Sequence, residues 1–432
     1  MTKIAIVTLG CPKNEVYSEY MLGVLSNSNY EFVDDPIKAE VVIVNTCSFI
    51  TSAKQEALET ILQLASLKNS PYLIVTGCMV QQHGKELIEE LPEVSAFIGT
   101  EALTRLPDVI EKILNGQRVF DVPGYEEILP ELPRFAQDKK PYAYLKISEG
   151  CNNCCTYCTI PSIKGPYRSR PMEYIVKEAR ELAESGIKEL ILVAQDTTAY
   201  GIDIYGEYRL PTLLCSLAQI PELYWLRILY TYPERITPEL IEVMATEPKV
   251  VPYLDIPLQH ISEDILRRMG RPGTGTIGIK VIEDLRRSIP ELALRSTFIV
   301  GFPGEEEKDF QLLLDFLSST KIDWVGAFKF SPEEGTIASE LPNQVEEEIK
   351  EERYQLLMLY QQSITRACNE RWLGQKMKVL IDGKSVGRSF RQAPEVDGLI
   401  YLNKSNVPLG SIVTAKLTHV YEDYDFKAEI EM

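Results

Sequence analysis

The sequence predicts an α/β protein in three parts: an N-terminal open parallel α/β sheet, a central partial (βα)6 barrel, and a small C-terminal antiparallel β-barrel. Three observations predict it. Apolar runs of strand length alternate with helical patterns from the start of the chain. A Pro-rich passage from Val122 to Pro141, with Pro123, Pro130, Pro133 and Pro141, interrupts that alternation and reads as a linker. The last sixty or so residues then change to short strands separated by turns.

In the first part, Lys3 to Leu9, Val41 to Val44 and Tyr72 to Val75 read as buried parallel strands. Glu15 to Leu25, Ser52 to Leu67 and Gln81 to Glu90 read as the helices between and after them. A cysteine follows each strand at once, in Leu9-Gly10-Cys11, Asn45-Thr46-Cys47 and Thr76-Gly77-Cys78. The cysteine spacings of 36 and 31 residues each match about one strand-helix unit of roughly 30 residues. Ligands of open parallel sheets bind outside the carboxyl ends of the strands. The three thiols are therefore expected to meet at one sheet edge, with Gly10 and Gly77 allowing tight turns. Three independent core cysteines are the competing reading.

After the linker, Tyr142 to Ile147 is a strand that delivers the chain into a cysteine cluster. Further strands follow at Leu190 to Ala194, Leu226 to Leu229, Tyr253 to Ile256, Ser296 to Val300 and Val325 to Phe330. Helical patterns separate them, for example Ile175, Ala179, Leu182 and Ala183 on one face. Six units make a partial barrel, whose active site is expected at the carboxyl ends of the strands. Gln195, Asp196, Tyr232, Gln259, His260 and the Gly301 to Glu305 turn fall there. Ser331 to Gly335 ends this barrel. A charged helix from Val345 to Trp372 follows, with Ile349, Leu356, Tyr360, Ile364 and Ala367 expected to pack along it. Strands at Met377 to Ile381, Val386 to Phe390, Leu399 to Leu402, Ile412 to Val420 and Asp425 to Ile430 form the terminal barrel. The expected domains are 1–121, 137–368 and 369–432. Cys215 and Cys368 lie in helical patterns and read as core thiols.

Composition narrows the function. With 63 Asp plus Glu against 45 Lys plus Arg, the net charge of -18 argues against a nucleic acid backbone as the main partner. A basic protein suits the chain better. Three histidines, His83, His260 and His419, disfavour chemistry built on several imidazoles. The chain opens Met1-Thr2-Lys3-Ile4 and shows neither a signal peptide nor a transmembrane run, so a cytoplasmic protein with reduced thiols and no membrane partner is expected.

The densest signal is Cys151-Asn152-Asn153-Cys154-Cys155-Thr156-Tyr157-Cys158. Cys151, Cys155 and Cys158 form a C-x3-C-x2-C run with no fourth ligand at a standard offset. An iron-sulfur cube takes one thiolate per iron, so three ligands leave one iron open. Zinc is the rival, because Cys151/Cys154 and Cys155/Cys158 both fit C-x2-C, yet a zinc ribbon separates its pairs by a long spacer. The run, with Tyr157 inside it and Pro161 beyond, resembles the radical S-adenosylmethionine (SAM) enzymes.

Over essentially its whole length the chain resembles the methylthiotransferases, a radical SAM subfamily with an N-terminal cluster domain, a radical SAM core and a TRAM barrel. Leu9-Gly10-Cys11-Pro12-Lys13-Asn14, the run from Ile160 to Arg170 (Ile-Pro-Ser-Ile-Lys-Gly-Pro-Tyr-Arg-Ser-Arg) and Gln195-Asp196-Thr197-Thr198-Ala199-Tyr200-Gly201 are similar to the branch that modifies an aspartate of small-subunit ribosomal protein S-twelve. The branch that modifies adenosine in tRNA typically has Gln-Met-Asn after the first cysteine. Tyr17, where the family usually has Asp, and Cys154 depart from the pattern.

The resemblance implies two 4Fe-4S clusters, one on Cys151, Cys155 and Cys158 and an auxiliary one on Cys11, Cys47 and Cys78. It implies SAM as methyl donor and radical source, with Tyr157, Gln259, Gly301, Gly304 and Glu305 as candidate SAM contacts. For the Gly301 to Glu305 turn a plain strand-to-helix connection competes. Lys164, Arg168 and Arg170 read either as a grip on substrate or cofactor or as solvated charges. The implied reaction adds a methylthio group to the β carbon of the target aspartate, free or in the ribosome, with an electron donor and a sulfur donor as further partners. RNA contact is implied only as part of the ribosome. A tRNA methylthiotransferase is the alternative, but residues 370 to 432 hold nine Lys plus Arg and nine Asp plus Glu, so the terminal barrel has no excess charge to gather phosphates. A non-catalytic electron carrier fits less well, since carriers saturate all irons with protein ligands.

Overall fold

Val- and Ile-rich runs become parallel strands in a computed structural model of the chain, which describes all residues except 27, 127–128, 137–139, 405, 423 and 432. It divides into two compact units. The first comprises Met1–Lys139, Ser148–Asn153 and Cys158–Tyr174, the second Lys140–Ile147, Cys154–Tyr157 and Ile175–Met432. Parts of the expected linker, and the expected domain limits at 137 and 432, lie outside the described residues.

The first unit runs β1 (Thr2–Thr8), α1 (Pro12–Ser26), β2 (Tyr30–Phe32), β3 (Val41–Thr46), α2 (Thr51–Ala65), β4 (Tyr72–Gly77), α3 (Cys78–Glu90), β5 (Ala96–Ile98), α4 (Leu106–Leu114) and β6 (Val119–Asp121). Its six strands pair in the order β2-β1-β3-β4-β5-β6, all parallel. Every residue of β3 is buried, as a strand covered on both faces requires. Val42 and Val44 pack with Ala57 and Ile61 of α2 and with Val75, Val80, Leu87 and Phe97. Each such aliphatic side chain contributes roughly 2 kcal/mol by leaving water. The sequence pattern locates β1, β3 and β4 but misses β2, β5 and β6, which have three residues each. The same unit holds a short antiparallel pair, β8 (Ser148–Glu149) with β9 (Arg168–Ser169), the five-residue helix α5 (Ile160–Lys164) between them, and the start of α6 (Met172–Glu184).

The second unit contains β7 (Tyr142–Lys146), β10 (Glu189–Val193), β11 (Trp225–Ile228), β12 (Val250–Asp255), β13 (Ala293–Val300) and β14 (Trp324–Lys329), parallel in the order β14-β13-β12-β11-β10-β7. These are the six strands expected of the partial barrel. On α6, Ile175, Ala179, Leu182 and Ala183 are buried as their spacing predicts. The helix Glu347–Glu370 differs. Ile349 and Leu356 are exposed, and the buried face carries Lys350, Arg353, Leu357, Gln361, Ile364 and Cys368. Polar contacts choose that face: Arg353 donates to Glu305, and Gln361 and Thr365 donate to the carbonyls of Ile322 and Asp323. Cys368 is buried as expected, whereas Cys215 is exposed and not a core thiol.

The terminal strands β15 (Lys376–Gly383), β16 (Val386–Arg388), β17 (Ile400–Leu402), β18 (Ile412–Val420) and β19 (Phe426–Ile430) close into a barrel in the order β15-β16-β17-β19-β18. Four pairings are antiparallel, but β17 and β19 run parallel. Met377, Val379, Ile381, Leu417 and Phe426 fill it. No helix among the described residues is long and apolar enough to cross a membrane.

Candidate functional site

The adjacent strands β1, β3 and β4 each end one to three residues before a cysteine, so Cys11, Cys47 and Cys78 gather at one edge of the N-terminal sheet. Burial pushes the Cys78 thiol up to about 12, Lys164 opposes that, and Cys11 and Cys47 add to it. Burial likewise raises Cys47, with Cys11 contributing. Asn14 ties the turns together. Its amide donates to the carbonyls of Leu9 at 2.7 Å and Thr46 at 3.1 Å, and its own carbonyl accepts from Asn45 at 2.8 Å. Gly10 and Gly77 adopt φ of 90° and 98°, and a Cβ on Gly10 would stand 2.5 Å from Cys47 Cβ.

The Ile160 to Arg170 run shapes the start of the cysteine loop. Cys151 N donates to Gly165 O at 3.2 Å, and Asn152 Oδ1 accepts from Tyr167 N at 2.9 Å. Gly150 has φ of 77° and lies against the Pro166 carbonyl. Lys164, Arg168 and Arg170 are all buried, which removes the reading of solvated charges. Arg168 forms a two-pronged pair with Glu101 at 3.0 and 3.1 Å, and Arg170 lies over the Tyr20 ring. Lys164 Nζ sits 4.2 Å from the Tyr17 ring centre and 3.9 Å from Glu149 Oε1, while Tyr17 Oη donates to Glu149 Oε2 at 2.8 Å. The sequence reading missed Glu149, a lone carboxylate in a two-residue strand that carries no motif.

Cys155 belongs to the second unit, Cys151 and Cys158 to the first. Cys155 Sγ lies 3.8 Å from the Tyr232 hydroxyl. Arg271 stacks on the Tyr232 ring at 4.0 Å and is 4% exposed; its Nη1 donates to Pro257 O, and Tyr157 is a further hydrogen-bond partner of the guanidinium. Thr156 anchors the loop through Met269 O, Arg268 O and Ala338 N at 2.7 to 3.0 Å.

The other expected SAM contacts are mainly engaged in structure. Tyr157 packs edge-on to Phe302 within an apolar cluster of Ile265, Leu266, Met269 and Phe330. Gln259 takes φ of 69° and bridges β13 through Thr297 O and Ile299 N, both at 2.8 Å. Gly301 lies against Lys350 and Gly304 against the Arg268 guanidinium. Glu305 is buried, accepting from Arg353 at 2.9 Å and from Phe302 N at 3.2 Å. The turn thus has the bonds of a strand-to-helix connection.

Among the described residues, no three His, Cys, Asp or Glu side chains stand close enough to share one metal ion. A four-iron cube spreads its thiolates over separate irons, so its ligands stand further apart. All nine cysteines are free thiols.

Residues 3–99 match the Uncharacterized protein family UPF0004, residues 145–317 the Radical SAM superfamily and residues 373–430 the TRAM domain. The chain is 67% identical over 432 residues, all of both chains, to the ribosomal protein uS12 methylthiotransferase RimO of Moorella thermoacetica. The chain belongs to the RimO family of methylthiotransferases. Two other RimO relatives, from Geobacter sulfurreducens and Clostridioides difficile, are 45% and 43% identical over 98% or more of each chain. Like them, this RimO family member is a radical SAM enzyme. Among solved structures, the radical SAM methyltransferase TsrM from Kitasatospora setae aligns at TM-score 0.58 and 13% identity, covering 92% of this chain and 82% of its own. The cobalamin-dependent SAM radical enzyme OxsB aligns at 0.53 and 14% identity, over 78% of this chain and 54% of its own. These two likenesses concern the fold alone.

Proposed function

We propose that this enzyme adds a methylthio group to the β carbon of an aspartate in ribosomal protein uS12, using two 4Fe-4S clusters and SAM. The observation that carries the two-cluster reading is the gathering of Cys11, Cys47 and Cys78 at one sheet edge, in a chain that also holds the Cys151, Cys155, Cys158 run. Three thiols per set leave one iron of each cube open. When bound, the clusters and SAM supply the radical and the sulfur.

The protein's own part is to hold and shield. Cys11, Cys47 and Cys78 hold the auxiliary cluster, and Cys151, Cys155 and Cys158 hold the radical-generating one. Arg271 is the group we assign to the SAM carboxylate, since a buried guanidinium has more N–H donors than its bonds to Pro257 O and Tyr157 use, and the remainder match a carboxylate acceptor. Of the residues suggested by resemblance, Tyr157 and Gln259 remain SAM-contact candidates, whereas Gly301, Gly304 and Glu305 form a strand-to-helix turn packed on Lys350, Arg268 and Arg353. Domains at 1–121, 137–368 and 369–432 would carry the auxiliary cluster, the radical chemistry and the TRAM barrel.

The acidic chain suits a basic ribosomal protein, free or assembled, and its free thiols suit a reducing cytoplasm with an electron donor and a sulfur donor. Incubation of the reconstituted enzyme with SAM, reductant, 30S subunits and bulk tRNA, followed by mass spectrometry, tests the substrate. A methylthio group on uS12 supports the proposal; one on tRNA alone overturns it. Replacement of Cys11, Cys47 and Cys78 by Ala should leave one cluster and reductive SAM cleavage, but no sulfur insertion.

A further inference from the structure

Arg295 and Thr297 of β13 share the inner face of the barrel, since the opposite face carries Phe298, which packs on Phe316 of the helix Glu307–Thr320. Parallel register sets Thr297 beside Gly326 of β14. A Cβ on Gly326 would stand 3.3 Å from Arg295 Nη2 and 3.7 Å from Thr297 Oγ1. The guanidinium therefore lies across the space that Gly326 leaves. Phe328, two residues further along β14 and on the same face, is 50% exposed, so the interior is open toward the carboxyl ends of the strands.

The partners of this guanidinium set it apart. Arg227, Arg388 and Arg391 each hold a carboxylate oxygen at 2.8 Å or closer. Arg295 has neither a hydrogen bond nor an ion pair among the described residues. Burial alone would lower its pKa, but Asp397, Tyr253 and Asp255 hold it above the ordinary arginine value from beyond ion-pair distance. Both carboxylates are bonded elsewhere: Asp397 accepts from Tyr253 Oη at 2.7 Å and Ala393 N at 2.9 Å, and Asp255 from Tyr230 N at 3.0 Å. A guanidinium in this position presents a planar fork of N–H donors, which matches an acceptor with two oxygens in one plane.

We propose that Arg295 is a substrate-binding residue that clasps the carboxylate of the target aspartate inside the barrel and so fixes the β carbon that takes the methylthio group. This rests on the reading that an aspartate of uS12 is the substrate. The β carbon is bonded to the carboxylate carbon and lies in the carboxylate plane, so a two-pronged pair orients it directly. The same pair selects aspartate over asparagine, whose amide would turn N–H groups toward the fork.

The test gives full-length, cluster-loaded enzyme SAM, reductant and uS12, free and in 30S subunits, carrying either its target aspartate or asparagine there. Modification is read by mass spectrometry and SAM affinity by calorimetry. Arg295→Met lowers the rate on the aspartate protein at least about thirtyfold, the loss expected when a desolvated charge pair is deprived of one partner. Its preference for aspartate over asparagine collapses, while iron content and SAM affinity stay at the parent's values. Arg295→Lys, which keeps the charge but loses the fork, falls between the two in rate and retains the preference. A parent active on uS12 whose Met variant keeps both rate and preference overturns the proposal alone. So does a Met variant whose SAM affinity falls about tenfold or more, which would give the guanidinium to SAM. A parent that leaves uS12 unmodified in both forms overturns the functional reading, and the proposal with it. If the Met variant loads no iron, the Lys variant decides, and a rate equal to the parent's overturns the proposal.

Discussion

Arg388 of the terminal barrel donates to Glu189 of the central sheet at 2.8 Å, with both side chains essentially buried. Glu189 also accepts from Arg227 at 2.6 Å, and Arg388 from its other edge binds Asp382 at 2.6 and 3.0 Å. Burial alone would raise the Glu189 carboxyl, but the two guanidinium groups hold it below the usual carboxylate range. The terminal barrel is thus joined to the sheet by a closed ionic network rather than by apolar contact alone.

Removing one partner from such a network leaves a buried charge short of compensation. Arg388→Met is expected to destabilise by about 3 kcal/mol, read as a lower urea midpoint. Arg388→Lys should recover little, because a single ammonium cannot serve Glu189 and Asp382 in the planar two-sided geometry.

His260 predicts a pH dependence. It is fully buried, with Nδ1 accepting from Ser262 N at 2.9 Å and Nε2 3.7 Å from Glu305 Oε2. Burial lowers its pKa to about 4; Asp309 opposes and Arg353 assists. The imidazole is neutral when folded, while the unfolded chain takes up the proton near pH 6.5. Its contribution is therefore complete above about pH 6.5 and lost as pH falls toward 4, amounting to about 2 kcal/mol by pH 5. Urea unfolding at pH 7 and pH 5 should show that loss in the parent and a smaller one in His260→Asn.

Gly77 carries the turn into Cys78. Its φ of 98° with ψ of -160° is a region that only glycine occupies freely, and an added Cβ would stand 2.5 Å from Thr46 O. Gly77→Ala is expected to cost on the order of 2 kcal/mol and to lower iron loading. Gly116→Ala, at φ of 80° in open space, should keep full loading, which separates displacement of Cys78 from backbone strain in general.

These positions show what pattern can and cannot carry. Cys11, Cys47 and Cys78 were legible because each follows a long apolar strand of one sheet, and strand order then does the gathering. The strands Tyr30–Phe32, Ala96–Ile98 and Val119–Asp121 are too short to show a period. The expected face of Glu347–Glu370 holds at Ile364 but fails at Ile349, Leu356 and Ala367, because Arg353, Gln361 and Thr365 are held by partners distant in sequence. Lys164 and Arg168 have the same origin: only the folded chain shows the carboxylates, Glu149 and Glu101, that let basic residues be buried.

Arg271 offers the sharpest test of the SAM assignment. A buried N–H with no acceptor costs roughly 1–3 kcal/mol, so the donors that Pro257 O and Tyr157 leave unused make the guanidinium a burden to the SAM-free protein. Its stacking on Tyr232 and its bond to Pro257 O recover part of that cost. Arg271→Met should therefore leave the stability of the SAM-free, cluster-loaded protein within about 1 kcal/mol of the parent. Its iron content should be unchanged, because Arg271 holds no iron. SAM affinity, measured by calorimetry, should fall at least tenfold, since a charge-assisted pair contributes more than 1.4 kcal/mol when desolvated. A structural arginine predicts the opposite pattern, with lower stability and unaltered affinity. Arg271→Lys, which keeps the charge but loses the fork, should bind SAM between the parent and the Met variant.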